Sequence, residues 1–545
     1  MYLKSIAQPQ HLGYTVSAIL VLSVVAYVVY QRFIHPLARY PGPFWASLTD
    51  IWQVLEFLSL KQPYRLTELH EKYGPVVRYG PDKISITHES SVQVIYQKSS
   101  RALPKTEYYD AFGGAHPNVF GTRDEAHHSV RRRHMSHAFS MTNIKSMEQY
   151  IDANLSILKG KIYNEAVAER AFDLKKFLHY YVVDVLGDLA FSKSFDLQVT
   201  EDESRVPPVK EHSLLAAATG AWPAMLHWLK WALPYLPVAA VQNLLSGRRA
   251  CAELASKSVQ RRLEEVKGRH HEKNICIPER KDLLTSLILA KHPDTGEHLT
   301  QTDLETEAFG FIIAGTHTTS ASTTLLFYNL LHNPECMEQC ISEVDANLPA
   351  LDPDQAAYPI TDVESALPYL RNCIKENFRL TPVFTMPLAR RVTAPEGLII
   401  EGNHFGKGPQ ASQGAISLAG RQLANTPDQT SIAVCNHAFH HNPAVWGPDH
   451  NTFDPTRWER PETAERSRQL MHFGLGGRQC IGKTMATTNI YKAMSTLLRE
   501  FDFQLADKAE ALRAQQGGFK DRLPALISVG VSDLEAPLMV TAKVR

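Results

Sequence analysis

The ten residues from Phe473 to Gly482 constrain this chain more than any other stretch. They read FGLGGRQCIG and so combine four glycines, one arginine and one cysteine. Glycines permit close backbone approach and positive φ, an arginine can pair with a carboxylate, and a cysteine thiolate can bind a metal whose potential nearby N–H groups tune. The combination predicts a loop that folds against a flat cofactor and presents the sulfur of Cys480 to its metal. A Gly-rich turn with a buried structural cysteine is the alternative.

This stretch fits the pattern Phe-x-x-Gly-x-Arg-x-Cys-x-Gly at every fixed position. With three further motifs upstream in the expected order, the chain resembles the cytochrome P450 family over nearly everything after its N-terminus. The resemblance implies a mainly α fold with small β-sheets, built as a single large catalytic domain behind an N-terminal transmembrane helix. It also implies that haem (iron protoporphyrin IX) is the cofactor and that Cys480 is the axial ligand of its iron. Phe473, Gly476, Arg478 and Gly482 are then cofactor-binding residues of the loop.

Composition agrees with this resemblance and excludes some alternatives. A chain of 545 residues suggests three or four domains by length alone, whereas the family forms one. Lys+Arg and Asp+Glu both number 57, and a formal charge of zero argues against a general nucleic-acid binder. The seven cysteines are scattered and odd in number, which predicts reduced thiols in a cytosol-facing domain rather than a disulfide framework.

The N-terminal region predicts a membrane anchor. Residues 12–30 (LGYTVSAILVLSVVAYVVY) carry no charge and approach the roughly 20 residues that span a bilayer as a helix. A cleaved signal peptide is the alternative, although its apolar core is usually shorter. Lys4 is the only charged residue before the span, so we expect a lumenal N-terminus at residues 1–11 and a cytosolic body. Residues 31–45 are predicted to form a stiff proline-rich hinge, and residues 46–545 the catalytic domain.

A basic stretch, HHSVRRRHMSHAF, occupies residues 127–139. His128 and Arg132 are four residues apart, so they share one face of a helix. A solvated basic helix explains the residues alone, whereas the resemblance implies that this pair is directed at a haem propionate. Arg131 and Arg133 are expected to face elsewhere, as solvated surface or as part of a basic face for an acidic redox partner.

Residues 302 to about 332 are predicted to form one long helix. Thr302 and Glu305 have the spacing of a capping box, and Asn333-Pro334 stops the pattern. Apolar residues surround the axis almost completely, which predicts a helix through the core. Gly315 and the neighbouring hydroxyl side chains are expected to weaken and bend its middle.

The centre of this helix, residues 314–319, reads AGTHTT. The resemblance implies that its bend holds dioxygen and water over the iron and that Thr318 is the oxygen-activating threonine. The preceding position is usually Asp or Glu in the family, but here it is His317. An imidazole can also relay protons near neutral pH, so His317 is a candidate catalytic residue beside Thr318. A core Gly-Thr kink without chemistry is the alternative.

Glu376 and Arg379 are three residues apart on a predicted helix and can pair on one face. The resemblance implies that this pair is buried and joined by Arg457, whose extra donors satisfy it. The role of the three residues would be structural, holding the cofactor loop. Arg390 stands at the position of another propionate-binding arginine, with Arg391 beside it as the alternative register.

Residues 402–430 depart from the family, because roughly twenty extra residues of loop composition separate two predicted strands. A surface insertion and a retained intron in the gene model both explain this stretch.

The resemblance implies several walls for a substrate site, and a lipophilic substrate. These walls are residues 106–122, the long helix near Phe311 and Ala314, residues 385–388 and residues 523–531. The apolar stretch 214–241, with Trp228 and Trp231, is either a lid resting on the membrane or a core helix pair.

We expect a monooxygenase of the endoplasmic reticulum membrane, single-pass with its catalytic domain in the cytosol. It would use dioxygen and a lipophilic small molecule, as do filamentous-fungal family members of secondary metabolite biosynthesis. The chain has no Gly-x-Gly-x-x-Gly loop of its own, so NADPH–cytochrome P450 reductase would supply electrons. A haem-thiolate isomerase or dehydratase and a non-catalytic haem-binding protein are the alternatives.

Overall fold

The computed structural model describes residues 9–97, 103–114, 116–267, 280–291, 295–352, 354–394, 397–405, 430–516 and 522–545. Within these ranges helices dominate and short strands lie mostly near the two ends of the catalytic domain, which confirms the predicted fold class. The α-helices are α1 (Pro9–Val29), α2 (Ile51–Leu58), α3 (Gln62–Tyr73), α4 (Glu89–Val92), α5 (Glu125–Ser136), α6 (Met141–Ser146), α7 (Glu148–Val167), α8 (Leu174–Phe191), α9 (Leu197–Thr200), α10 (Val209–Gly220), α11 (Leu226–Ala232), α12 (Ala239–Lys267), α13 (Leu283–Leu289), α14 (Gln301–Leu331), α15 (Pro334–Asn347), α16 (Ile360–Ala366), α17 (Pro368–Leu380), α18 (Asn436–His440), α19 (Pro443–Trp446), α20 (Pro461–Ala464), α21 (Lys483–Glu500) and α22 (Lys508–Gln516).

The strands form small sheets rather than one central sheet. They are β1 (Val76–Arg78), β2 (Lys83–Ile86), β3 (Phe172–Asp173), β4 (Arg390–Arg391), β5 (Leu398–Ile400), β6 (Asn403–Phe405), β7 (Ser431–Ala433), β8 (Phe501–Leu505), β9 (Leu526–Ser528), β10 (Ser532–Leu534) and β11 (Met539–Val544). One sheet has the order β1-β2-β7-β4, a second has the order β3-β11-β8, and β5-β6 and β9-β10 are hairpins. β2 and β7 are parallel, with Ile84 opposite Ile432. The hairpin β9-β10 and the segment before β4 meet where Phe384 pairs with Val531.

The long helix α14 passes through the core, as its apolar composition predicts. Helices α8, α10, α12, α17 and α21 all pack against it. Its start differs from the expected capping box at Thr302 and Glu305: Thr300 is the N-cap and Asp303 is its partner. The motif occurs twice in overlapping registers, and the structure uses the one in which the Thr300 hydroxyl accepts from the Asp303 N–H and the carboxylate of Asp303 accepts from the Thr300 N–H.

The N-terminal helix α1 projects away from the catalytic domain. Residues 13–34 form a helical stretch long and apolar enough to cross a membrane, and its most apolar 18 residues have a mean hydropathy of 1.9 and are not buried in the protein. Its end is attached to the domain, because buried Arg78 donates to the Gln31 carbonyl at 2.8 Å and to the Gln31 side chain at 2.7 Å. An apolar helix with no protein covering it is consistent with the predicted membrane anchor.

The structure describes both ends of the predicted insertion at residues 402–430. Gly402 has φ +73° and lies in the turn of hairpin β5-β6. Phe405 is fully buried and stacks on Tyr40. At the other end, the Thr430 carbonyl accepts from the Val392 N–H at 2.9 Å. Both ends of the predicted interruption therefore belong to the sheets, and residues 406–429 lie outside the described residues.

The apolar stretch 214–241 divides into α10, α11 and short 3-10 turns rather than a pair of core helices. Trp228, Trp231 and Tyr235 are 59%, 62% and 76% exposed. A core role would have buried these rings, so the surface they form fits the lid alternative.

Candidate active site

The loop of Cys480 is closed by backbone hydrogen bonds. The Cys480 N–H donates to the Phe473 carbonyl at 2.8 Å, and the Gly474 N–H donates to the Met471 carbonyl at 2.8 Å. Gly474 and Gly476 both have φ +66°, which favours glycine. A Cβ on Gly476 would lie 2.1 Å from the Tyr96 carbonyl oxygen, so only glycine fits there.

The remaining loop residues have other contacts. Phe473 is half-buried and makes an edge contact with Phe378 at 5.2 Å between ring centroids. Gly482 has a negative φ and is the N-cap residue of α21, so it does not need the freedom that the sequence suggested. Gly474 and Gly476 set the turn, and Gly482 joins it to the helix.

Cys480 differs from the other cysteines that the structure describes. Its side chain is exposed, whereas those of Cys251, Cys336, Cys340, Cys373 and Cys435 are buried. Although the side chain is accessible, the protein atoms around the sulfur desolvate it and raise the pKa of the Cys480 thiol. The N–H groups of Gly482 and Lys483 and the charge of Arg132 lower this pKa. An accessible sulfur that faces N–H donors and a cation is the environment that a metal-binding thiolate requires.

A buried cationic cluster lies around His128. His128 itself is 4% exposed, and burial together with the charges of Arg478, Lys105, Arg132 and Arg390 lowers its pKa to about 3. Its imidazole is therefore neutral at physiological pH, and the positive charge of the cluster comes from its neighbours.

The neighbouring residues Arg390 and Arg391 have different partners. Arg390 is buried, donates to the Tyr109 hydroxyl at 3.1 Å and lies over the ring of Tyr96. Arg391 instead pairs with the carboxylates of Asp82 and Glu107. Arg391 is thus engaged on the surface side, and the geometry favours Arg390 as the member of the cationic cluster.

The two other predicted cofactor arginines are engaged within the protein. Arg132 donates to the Gln479 carbonyl at 2.7 Å, directly beside Cys480. Arg478 pairs with Glu125 at 2.7 Å and donates to the Thr122 carbonyl at 2.6 Å. Both side chains tie α5 to the cysteine loop in this structure, and the carboxylate that partners Arg478 is a protein group.

Sequence reasoning missed Lys105. This lysine is 5% exposed, donates to the Phe120 carbonyl at 2.5 Å, and lies 4.2 Å from the ring centroids of both Tyr109 and Phe120. Burial, with the charges of Arg390 and Arg478, lowers its pKa well below the usual value. A buried lysine with aromatic and carbonyl neighbours fits an anionic partner such as a propionate, so the residues present fit haem.

The middle of α14 offers an accessible surface inside an otherwise buried helix. Ala314 is exposed, while Phe311 and Ile312 one turn earlier are buried. The Thr318 hydroxyl donates to the Ala314 carbonyl at 2.7 Å. The helix is continuous through this point, and this side-chain bond is of the kind expected to bend a helix locally. A Cβ on Gly315 would lie 2.6 Å from Leu186, which explains this glycine by the close packing of α8.

His317 faces a carboxylate that sequence reasoning missed. Its Nε2 lies 3.0 Å from Oδ2 of Asp533 on β10, and both side chains are buried. The two residues are 216 positions apart. The imidazole is therefore held by a partner rather than exposed beside Thr318.

Glu376, Arg379 and Arg457 form a fully buried ionic group. Arg379 donates through Nη2 to Oε1 of Glu376 at 2.7 Å and through Nε to Oε2 at 3.0 Å. The Nε of Arg457 donates to the same Oε1 at 3.3 Å. The remaining guanidinium donors of Arg379 bond to the carbonyls of His440, His450 and Thr452. The group thereby holds residues 440–457, which lead into the cysteine loop.

Arg131 corrects the expectation of a solvated residue. It is 7% exposed and bonds Asp303 at 2.5 Å and Glu307 at 2.8 Å on α14. Residue spacing within α5 could not show that α14 covers Arg131. Arg133 on the same helix is exposed, as predicted.

Comparisons with known proteins agree with this geometry. The family model described as Cytochrome P450 matches residues 41–412 and 412–520. The cytochrome P450 monooxygenase gsfF of Penicillium aethiopicum is 31% identical over 94% of this chain and 97% of its own length. A pisatin demethylase of Fusarium vanettenii is 27% identical, with 89% of each chain covered. A benzoate 4-monooxygenase of Aspergillus niger is also 27% identical, over 94% of this chain and 96% of its own. The chain belongs to the cytochrome P450 family, whose cofactor is haem.

Proposed function

We propose that this protein is a membrane-anchored haem-thiolate monooxygenase that hydroxylates or epoxidises a lipophilic small molecule in fungal secondary metabolite biosynthesis. For a substrate RH the balance is RH + O2 + NADPH + H+ giving ROH + NADP+ + H2O. The observation that carries the proposal is Cys480, an accessible sulfur in a closed glycine loop beside N–H donors and Arg132.

The chain's residues divide the work around the cofactor. The haem, when bound, supplies the activation of dioxygen, with Cys480 as its thiolate ligand. Lys105, Arg390 and Arg132 supply the positive charge for its propionates, and neutral His128 supplies a hydrogen-bonding nitrogen. Thr318 holds a hydroxyl proton at the accessible middle of α14, within one helical turn of Ala314.

An aromatic wall supports a lipophilic substrate. Phe120 contacts Phe112 at 5.6 Å and Phe384 at 6.1 Å between ring centroids. The Met386 N–H donates to the Gly530 carbonyl at 3.2 Å, which fastens the segment after Phe384 to the β9-β10 turn. These are the segments in which the resemblance places the substrate, and their rings favour an apolar or aromatic molecule.

A cavity of about 630 Å³ supports entry from the membrane side. Tyr27 at the end of α1 lines it, together with Tyr108, Trp222 and Pro387. The exposed rings of Trp228 and Trp231 follow Trp222 along the chain. A substrate dissolved in the bilayer could enter through this cavity. The anchor and these exposed rings support our proposal that the protein lies in the membrane of the endoplasmic reticulum with its catalytic domain in the cytosol.

The names of the relatives support the reaction class. Two of them are named as monooxygenases and one as a demethylase, and all three are fungal. NADPH–cytochrome P450 reductase is the expected electron donor, because residues with a nucleotide-binding pattern are absent from the sequence.

The test uses the full-length protein in microsomes with a fungal reductase and a panel of lipophilic aromatic compounds under isotopically labelled dioxygen. We expect NADPH-dependent products that contain one labelled oxygen atom. Products formed without NADPH or without the label would show an isomerase or dehydratase. Haem binding with no NADPH oxidation and no product from the whole panel would show a non-catalytic haem protein.

A further inference from the structure

A cluster of charged side chains lies behind the middle of α14. Its centre is Oδ2 of Asp533, which lies 3.0 Å from Nε2 of His317, 3.0 Å from Nζ of Lys210 and 3.3 Å from Nζ of Lys175. Asp533 is 4% exposed, and its three partners come from α14, α10 and α8. One carboxylate oxygen thus joins four separate elements at the helix that carries Thr318.

The cluster reaches from the core to the protein surface. The side chain of Lys210 is 45% exposed and that of Lys175 is 20% exposed, whereas those of His317 and Asp533 are each 6% exposed. Lys175 also donates to the Leu534 carbonyl. Lys210 is thus the exposed end of the cluster, and Asp533 connects it to the buried imidazole of His317.

The other group that faces His317 is His179 on α8. Its Nδ1 lies 3.2 Å from the Ser320 hydroxyl, which donates to the His317 carbonyl at 3.0 Å. Burial, followed by the charge of His317, lowers the pKa of His179 to about 4, so it is neutral at physiological pH. Asp533 is then the group that determines the orientation and the charge balance of His317.

Asp533 stays ionised in this setting. Burial alone would raise its pKa, but the hydrogen bond and charge of His317 and the charges of Lys210 and Lys175 hold the pKa of Asp533 well below its usual range. A carboxylate held between one imidazole and two ammonium groups remains a hydrogen-bond acceptor for His317 and fixes the orientation of its ring.

We infer that Asp533 is a positioning residue that supplies, from the β9-β10 hairpin, the carboxylate that α14 lacks at position 317. Asp533, itself held by Lys210 and Lys175, keeps His317 in one orientation, and the imidazole of His317 is the group that relays a proton towards the Thr318 hydroxyl. The inference rests on the proposed monooxygenase function, because it concerns the two protons that the reduction of dioxygen consumes.

A buried ionic group can also be purely structural, so the test must measure proton delivery directly. In the absence of substrate, incomplete reduction follows O2 + NADPH + H+ giving H2O2 + NADP+. Complete reduction follows O2 + 2 NADPH + 2 H+ giving 2 H2O + 2 NADP+. The ratio of NADPH to dioxygen consumed is therefore a readout that needs no knowledge of the substrate.

The experiment compares wild type, Asp533→Asn and the matched control Asp184→Asn in the haem-loaded protein with a reductase. Asp184 is similarly buried, but it accepts from the backbone N–H groups of Leu197 and Gln198 and from the Ser194 side chain, and no cation of the described residues pairs with it. We expect Asp533→Asn to lower the ratio towards one relative to the wild type and to slow oxygen consumption, because proton transfer by a poorly oriented imidazole is less efficient. Asp184→Asn should lower thermal stability without changing the ratio.

A rescue variant separates positioning from folding. His317→Asp alone would place two carboxylates side by side, whereas His317→Asp with Asp533→Asn keeps one carboxylate beside Lys210 and Lys175. We expect the double variant to restore the wild-type ratio. A double variant as uncoupled as Asp533→Asn, or an Asp533→Asn protein with the wild-type ratio, would overturn the inference.

A variant at Lys210 keeps the inference open to refutation if Asp533→Asn folds poorly. Lys210→Met removes one of the two ammonium groups that hold the Asp533 carboxylate and should shift the ratio towards one; an unchanged ratio would overturn the inference. Where Asp533→Asn folds, thermal unfolding gives a readout besides turnover. The pKa of folded Asp533 lies below its unfolded value of about 3.9, so the wild type should lose stability as pH falls from about 5 towards the folded pKa, and Asp533→Asn should flatten this loss. Wild-type protein that consumes no dioxygen with NADPH would refute the proposed function itself. The result that overturns this inference alone is different: the wild type consumes dioxygen, and Asp533→Asn has the same ratio of NADPH to dioxygen.

Discussion

The substitution Glu376→Gln tests the buried ionic group most sharply. Glu376 and Arg379 are both 0% exposed, and Arg457 is 1% exposed. The amide cannot neutralise two buried guanidinium groups, although it keeps the shape of the carboxylate. Removing one partner of a buried ion pair costs about 3–5 kcal/mol, because the remaining charge stays desolvated.

The expected change in melting temperature follows from the size of the domain. Unfolding entropy is about 2.1 cal/mol/K per residue near 60 °C, so roughly 500 residues give about 1 kcal/mol/K. Glu376→Gln should therefore lower the melting temperature of the haem-loaded protein by about 3–5 °C. It should also weaken haem retention, because Arg379 holds the carbonyls of residues 440–452 ahead of the cysteine loop.

The chain provides a matched control at the surface. Arg65 and Glu68 form an ion pair with the same three-residue spacing at 3.0 Å, but their side chains are 45% and 60% exposed. Exposed pairs contribute about 0–1 kcal/mol, so Glu68→Gln should lower the melting temperature by under about 1 °C. Differential scanning calorimetry of both variants decides the matter. Equal melting temperatures for Glu376→Gln and Glu68→Gln would refute the reasoning.

Three other predictions follow from the anchor, the interrupted region and the cysteine loop. Deleting residues 1–35 should release the protein from membranes, which carbonate extraction measures. In detergent this deletion should also give a lower melting temperature than deletion of residues 1–26, because only the longer deletion removes the Gln31 groups that bind Arg78. Equal melting temperatures in calorimetry would contradict the attachment. Removing residues 408–428 should leave haem incorporation intact, since the paired strands end at Phe405 and resume after Thr430. Loss of haem in the absorption spectrum would show that the insertion is structural. A mature transcript that retains this stretch would exclude an intron. Burial lowers the pKa of folded His472 to about 3, whereas its unfolded value is about 6.5. The folding stability that the neutral imidazole contributes is therefore lost as pH falls from about 6.5 towards 3. His472→Gln should therefore flatten the melting temperature between pH 6.5 and pH 4, and parallel curves for the two proteins would count against the assignment.

Contiguous motifs were predictable from the sequence. The loop of Cys480, the spacing of Glu376 and Arg379, and the uncharged run in residues 12–30 each combine unusual residue types within a few positions. Their chemistry depends on local spacing, so it can be recognised before the fold is known. The core position of α14 followed in the same way from apolar residues on all sides of its axis.

Contacts between distant segments were not predictable from the sequence. Asp533 lies 216 residues from His317, and periodicity gives no reason to associate a strand carboxylate with that helix. Arg131 resembled a solvated residue because the helix that buries it is 172 positions away at Asp303. Lys105 lies in a segment without regular structure. Each contact depends on how separate elements pack, which local patterns do not encode.

The helix start and the insertion show a second kind of limit. Two overlapping capping motifs occur at the start of α14, and the choice of Thr300 over Thr302 depends on which threonine leaves the helix. Strand pairing likewise assigned Gly402 to a turn and Phe405 to a hairpin strand. In both regions the residue types were recognised correctly, and their boundaries were set by neighbouring elements.

The most direct test of the account is the reduced carbon monoxide spectrum of Cys480→Ser, with Cys435→Ala as the control. Cys435 is buried beyond β7, outside the cysteine loop, and burial raises the pKa of its thiol to about 11. We expect the wild type and Cys435→Ala to show the thiolate-type band and Cys480→Ser to lack it. A thiolate-type band that persists in Cys480→Ser would contradict the assignment of Cys480 as the haem ligand.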